Sequence, residues 1–192
     1  MLPDTNIMKK AILFSYILLF SFAGSAQTYI KINGMSALVS VPQIGIETSI
    51  GAKSTFNIDL FSSLWKSFDG KPMQAIMLTP EYRYHFKEKY NGLYIGAHTG
   101  PDIYKLQKWN YWGTNLYEKG IGYRIGATIG YQKKLNDKFV LETFIGGGWH
   151  QGFYKGYYTD GTPGRYESAE NFNKSGEWLP YRGGIMISYK ID

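Results

Sequence analysis

From Ile121 to Gln132 the chain alternates without a break. Ile121, Tyr123, Ile125, Ala127, Ile129 and Tyr131 fall on one side, and Gly122, Arg124, Gly126, Thr128, Gly130 and Gln132 on the other. A period of two marks a strand, because successive side chains leave a pleated backbone on opposite faces. A helix would repeat its apolar residues at three and four instead. The pattern recurs along the chain. Ile44, Ile46, Thr48 and Ile50 oppose Gln43, Gly45, Glu47 and Ser49; Phe56, Ile58 and Leu60 oppose Asn57, Asp59 and Phe61. Ile76, Leu78, Pro80, Tyr82, Tyr84 and Phe86 oppose Met77, Thr79, Glu81, Arg83 and His85.

Three further segments read the same way. Leu93, Ile95 and Ala97 oppose Tyr94, Gly96 and His98. Phe139, Leu141, Thr143, Ile145 and Trp149 oppose Glu142, Phe144, Gly146, Gly148 and His150. Tyr181, Ile185, Ile187, Tyr189 and Ile191 oppose Arg182, Gly184, Met186, Ser188 and Lys190. Tyr29–Val41 is an eighth strand, with a bulge expected where the alternation shifts near Gly34. The connections alternate in length. Short turns are predicted at Ala52–Ser54, Lys87–Asn91 and Asn136–Lys138, and longer links at Trp65–Pro72, Lys105–Lys119 and Lys155–Glu177. The first link, near Pro42, is an exception in being short.

Short turns at one end and long loops at the other, with an even strand count, describe an eight-stranded antiparallel up-and-down transmembrane β-barrel. The polar face supports that direction. It is crowded with glycine (Gly45, Gly96, Gly122, Gly126, Gly130, Gly146, Gly148, Gly184), which has little purpose on a solvent face. Inside a lumen that barely admits side chains, small residues leave room for charged ones. The expected fold is therefore all-β with a filled lumen, the apolar face turned out to lipid and aromatics such as Tyr82, Tyr131 and Tyr189 near the strand ends.

The N-terminus reads as an address. Lys9 and Lys10 precede an apolar run, Ala11–Phe22, and small residues, Ala23–Ala26, follow. That is a cleavable secretory signal over residues 1–26, with residues 27–192 as the barrel domain. Met8 is an alternative start, and an uncleaved anchor is the alternative to cleavage. There is no cysteine among the 192 residues. This excludes a disulfide scaffold, a thiolate metal site, a Cys nucleophile and a lipid-modified N-terminal Cys. The net charge of +6 is spread rather than blocked, and no nucleic-acid partner is expected.

Little of the chain is arranged for chemistry. Glu47, Asp59, Glu81, Arg83, Arg124, Glu142 and Arg182 all fall on the polar face and are expected to form a luminal charge network, since charges in a narrow lumen must pair. His85, His98 and His150 lie on three strands, without a zinc-like spacing. There is no G-x-S-x-G elbow, and Gly146-Gly147-Gly148 lacks the Lys-Ser/Thr of a phosphate loop. No catalytic residue, metal or cofactor is expected. Outward binding is assigned to the loop residues Trp109, Tyr111, Trp112, Tyr157, Tyr158 and Arg165. Aromatics mixed with basic groups suit glycan stacking, lipopolysaccharide phosphates or a surface protein. The plainer alternative is that these residues only extend long hairpins above the membrane.

Several stretches look familiar in order and spacing. Pro42-Gln43-Ile44-Gly45-Ile46-Glu47 resembles P-N-L-G-V-E, and Pro80-Glu81-Tyr82-Arg83-Tyr84-His85 resembles P-E-x-R-Y-W. Gly130-Tyr131 with Leu135, then Leu141-Glu142 with Gly146, resembles G-Y-x-x-x-L…L-E-x-x-x-G. The mature chain thus resembles a family of small Bacteroidetes outer-membrane barrels known only as a domain of unknown function. His85 departs from the usual Trp, and the chain ends Lys190-Ile191-Asp192 rather than in an aromatic. The resemblance implies an eight-stranded barrel, and some members look linked to fimbria-type surface systems. The expected role is non-enzymatic: structural, or surface binding and adhesion through the long loops, in a cell outer membrane with its lipid and lipopolysaccharide as surroundings. Two alternatives stand beside it, a secreted lipocalin-like carrier of a small ligand, with the apolar face inward, and a lipid-modifying outer-membrane enzyme.

Overall fold

The computed structural model describes residues 27–66, 70–108, 111–166 and 173–191. The expected signal segment lies outside them. The described residues form strands β1 (Thr28–Asn33), β2 (Gln43–Ser49), β3 (Ser54–Lys66), β4 (Pro72–His85), β5 (Gly92–Leu106), β6 (Leu116–Lys134), β7 (Phe139–Tyr158) and β8 (Asn173–Lys190), with one short helix, α1 (Gly34–Leu38). Each strand pairs antiparallel with the next, and β1 pairs with β8, so the sheet closes on itself as a barrel. A closed sheet has no unpaired edge. No described helix is long and apolar enough to cross a membrane.

The faces follow the alternation. Ile44, Ile46, Ile58, Leu78, Ile95, Ile125, Ile129, Ile145 and Ile187 point out and are exposed, Ile125 by 58% and Ile145 by 61%. Glu47, Asp59, Glu81, Arg83, His85, His98, Arg124 and Glu142 point in and are buried. The glycines make room as expected. A Cβ at Gly130 would lie 2.5 Å from the Tyr94 ring, and one at Gly122 would lie 2.5 Å from Nε2 of His150.

Three sequence expectations are corrected. The first strand does not run to Val41 through a bulge at Gly34. It ends at Asn33, whose side-chain oxygen accepts from the backbone N–H groups of Met35 and Ser36 and caps α1. The link from β1 to β2 therefore spans residues 34–42 and joins the long-loop end, so it is no exception to the alternation. Tyr181 does not face outward with Ile185. The β7–β8 register slips between Gly146–Arg182 and Gly148–Leu179, which leaves Pro180 and Tyr181 opposite Gly147. That bulge reverses the face of β8, turning Glu177, Leu179 and Tyr181 inward and leaving Trp178 77% exposed. Finally, the strands next to the long loops run further than expected, taking in Lys105, Tyr117, Lys119, Tyr157, Tyr158 and Glu177.

The short-turn end is sealed by aromatics. Tyr90 adopts a left-handed backbone (φ 63°) in the turn before β5, a conformation costing a non-glycine residue about 1–2 kcal/mol. In return its ring packs 4.4 Å from that of Tyr29, and its hydroxyl donates to the Gln27 carbonyl at 2.7 Å. Tyr29, Tyr90 and Val140 close the bottom of the lumen.

Candidate functional site

The short-turn half of the lumen holds a dense ionic cluster. Lys31, from β1, binds Glu47 at 2.7 Å and also Glu142. Arg83 bridges Glu47 (2.8 Å), Glu81 (2.7 Å) and Glu142 (3.2 Å), and its guanidinium lies 4.7 Å from the centre of the Tyr94 ring. Gln132 donates to Glu47 and Glu142, both at 3.0 Å, and the Tyr94 hydroxyl donates to Glu142 at 2.5 Å. Arg182 reaches Asp59 at 2.6 Å and Glu81 at 3.3 Å. Each carboxylate thus meets a cation, the arrangement a buried charge requires. Strand alternation delivers these groups to one place, because they sit inward at similar height on β1, β2, β3, β4, β7 and β8.

Above this cluster the lumen changes character. His98 is held between the Thr128 hydroxyl (3.0 Å) and the Tyr181 hydroxyl (2.7 Å). Arg124 donates through Nε to Asp102 at 3.0 Å, and His150 meets the other oxygen of Asp102 at 3.1 Å. Nη2 of Arg124 also donates to the carbonyls of Leu78 and Pro101, each at 3.1 Å. These carbonyls lie where β4–β5 pairing lapses between Met77–Asp102 and Glu81–His98 and resumes in the same register, across a stretch containing Pro80 and Pro101, which have no N–H to give. His98 and His150 therefore serve different partners. Among the described residues no group of three His, Cys, Asp or Glu side chains is arranged to hold a metal ion.

At the long-loop end the lumen opens. The expectation of a lumen filled throughout holds only for the short-turn half. Asp102, Arg124, His150 and Tyr181 form the floor of a cavity of about 1050 Å³ whose walls include Met77, Tyr104, Leu106 and Leu179. Trp65, Lys66, Lys71 and Trp112 stand at its rim. Lys108, just beyond β5, bonds Glu177 at 2.7 Å and Glu118 at 3.2 Å across the mouth. Burial alone would push the Lys108 ammonium down; the carboxylates of Glu177 and Glu118 outweigh it and hold its pKa above the usual lysine value.

The expected loop-binding residues do not form one patch. Tyr157 is a strand residue whose ring stacks on Tyr117 at 5.6 Å. Tyr111 and Tyr158 both pack edge-on to Tyr166, at 5.7 and 6.0 Å. Trp112 is 74% exposed at the cavity rim. Arg165 is half-buried in the β7–β8 link, and Trp109 lies outside the described residues.

The family model described as "Protein of unknown function (DUF3575)" matches residues 11–191, a span that takes in every strand. The chain belongs to this family. No curated protein matches it.

In this DUF3575 chain all seven residues assigned to the luminal network lie within the ring, though not as one network. Glu47, Asp59, Glu81, Arg83, Glu142 and Arg182 join the lower cluster, whereas Arg124 belongs to the cavity floor. The sequence reading missed Lys31, the cation joining β1 to its neighbours, because the register there was obscured by the start of α1. It also missed Asp102, Glu118, Glu177 and the rim residues Trp65, Lys66 and Lys71. Continued alternation through Asp102-Ile103-Tyr104 and Glu118-Lys119-Gly120 was the available signal for the first two.

Proposed function

We propose that this chain is an outer-membrane β-barrel that crosses the bilayer with its eight strands and binds, without catalysis, through its long-loop mouth. The observation that carries this reading is the inversion of the faces. Ile46, Ile95, Ile125, Ile145 and Ile187 form part of an exposed apolar belt around the ring, while the charged groups pair inside. Water would make such a belt costly at roughly 25 cal/mol for each Å² of apolar surface, whereas hydrocarbon does not. Aromatics flank the belt in the manner of interfacial girdles: Tyr82, Tyr84, Phe86, Tyr131 and Tyr189 towards the short turns, and Tyr123, Phe153 and Trp178 towards the long loops.

On this reading, residues 1–26 direct export and are removed, and both chain ends face the periplasm with the short turns. The bottom of the ring is closed by Tyr29 and Tyr90, so nothing passes through. The mouth is the surface offered outward, and the tight lower cluster holds it in shape.

Purified protein folded in detergent is expected to migrate differently on a gel before and after boiling, and to fractionate with outer membranes with Gln27 as its first residue. A stable monomer in buffer free of detergent overturns the proposal.

A further inference from the structure

The mouth cavity has the chemistry of a lipid site. Its walls are mainly apolar: Met77, Leu106 and Leu179 face a space of about 1050 Å³, at the upper end of the usual range for small-molecule sites. The charges on its floor are matched, Arg124 with Asp102 at 3.0 Å. At its mouth Lys108 is matched by Glu177 and Glu118, and two further lysines stand apart from that brace. Lys66 is exposed and Lys71 half-buried at the edge of the opening. Among the described residues neither has a carboxylate partner. One further polar group on the wall is open. The hydroxyl of Tyr104, a residue only 6% exposed, has no hydrogen-bond partner among the described residues.

We propose that the cavity binds a single-chain lipid with an anionic head. The hydrocarbon chain enters the lumen against Met77, Leu106 and Leu179, and the head remains at the opening between Lys66 and Lys71. The Tyr104 hydroxyl lies below the head and offers a hydrogen bond that the glycerol oxygens of a lysophosphatidate accept and a fatty-acid chain does not. A cation pair above an apolar shaft selects an amphiphile over both a sugar, which needs many polar partners, and a neutral hydrocarbon, which leaves the lysines unused. A fatty-acid carboxylate and a lysophosphatidate share this chemistry. The proposal rests on the barrel reading above.

The test uses the full mature protein in phosphatidylcholine nanodiscs, with Trp109, Trp149 and Trp178 changed to Phe so that Trp65 and Trp112 report from the rim of the cavity. A fatty acid and a lysophosphatidate, each dibrominated on the chain, are titrated as quenchers beside a dibrominated long-chain alcohol. Saturable quenching is expected for at least one anion, and the tighter of the two identifies the head group. It should weaken roughly tenfold for the alcohol and for Lys66→Glu with Lys71→Glu, as two partly exposed ion pairs allow. Filling the shaft with Ala75→Phe and Met77→Phe should abolish it. Lys66→Gln with Lys71→Gln, a milder change, should weaken it less. Quenching that rises without saturation for both anions, that is equal for the alcohol, or that survives the filled shaft overturns the proposal. Heat-modifiable migration of the same preparations reports the barrel separately, so its loss in the parent protein counts against the barrel and not against the ligand.

Discussion

Arg124 donates to the carbonyl oxygen of Leu78 at 3.1 Å, from inside the ring, at the place where β4 and β5 cease to pair. A side chain on β6 thus closes a gap in a ladder to which it does not belong. Removing it takes the side-chain donor from two carbonyls and leaves Asp102 with His150 alone. Arg124→Leu is expected to lower stability by about 1.5–3 kcal/mol, the range for hydrogen bonds to a charged group. Urea unfolding in lipid vesicles measures the loss, and amide exchange should quicken at the β4–β5 seam before it does elsewhere. Equal exchange at every seam would refute a local role.

Arg83 is the hub of the lower cluster. Arg83→Ala leaves Glu47, Glu81 and Glu142 short of a cation, and breaking a buried pair from one side costs about 3–5 kcal/mol. The loss should exceed that for Arg124→Leu in the same unfolding assay. Replacing Arg83 together with Lys31, Glu47 and Glu142 by apolar residues of similar volume should recover much of it, because Glu81 keeps Arg182 and no buried charge is left alone.

Tyr90 ties the last short turn before β5 to the start of the chain. Tyr90→Phe keeps the ring against Tyr29 and removes only the hydrogen bond to Gln27, so the expected cost is about 0.5–1.5 kcal/mol. The effect should be confined to β1, visible as faster amide exchange at Tyr29 to Lys31. Uniform protection across the ring would show that the hydroxyl is dispensable.

Outward position is testable at Ile125, which is 58% exposed in the belt. In a membrane, Ile125→Lys near the bilayer midplane should cost about 2–4 kcal/mol, falling towards zero for a residue at either rim. A series of lysines along β6 at Ile121, Ile125 and Ile129 reports the depth profile through folding yields in vesicles. A flat profile would exclude a bilayer.

The brace across the mouth responds to alkali. Because the pKa of Lys108 is raised in the folded chain, its contribution is complete below the ordinary lysine value and fades as pH climbs through the higher folded value. Contact with Glu177 should therefore persist through neutrality and weaken only in strong alkali. Lys108→Met should remove that alkaline step while leaving the ring closed, which ¹⁵N spectra of the lysine side chains can follow.

Much of the ring was legible because strand alternation is local: each isoleucine on β6 declares the direction of its neighbours. The inward carboxylates and arginines followed from the same parity. Errors arose where parity broke. Asn33 stops β1 by capping a helical turn, which hid Lys31; the bulge opposite Gly147 reversed β8, which hid Glu177 and Tyr181. The cavity was illegible for another reason. Its rim is assembled from Lys66 and Lys71 at the β3–β4 hairpin and from Trp112 in the next loop, and no spacing along the chain shows that these meet over one opening.

The closure between β1 and β8, from Tyr29–Lys190 to Asn33–Met186, joins the first described strand to the last. Pairing between strands adjacent in the chain cannot complete it, so the ring stays an open sheet until β8 meets β1. The strand awaiting that partner is also the shortest, six residues in Thr28–Asn33 against seven in Gln43–Ser49 and more in every other strand. It carries Lys31, whose ammonium joins the second strand to the seventh. The ionic cluster thus acts as a clasp: it fastens only when the circle is whole, and it gives the shortest seam a hold that backbone pairing over six residues would not supply alone.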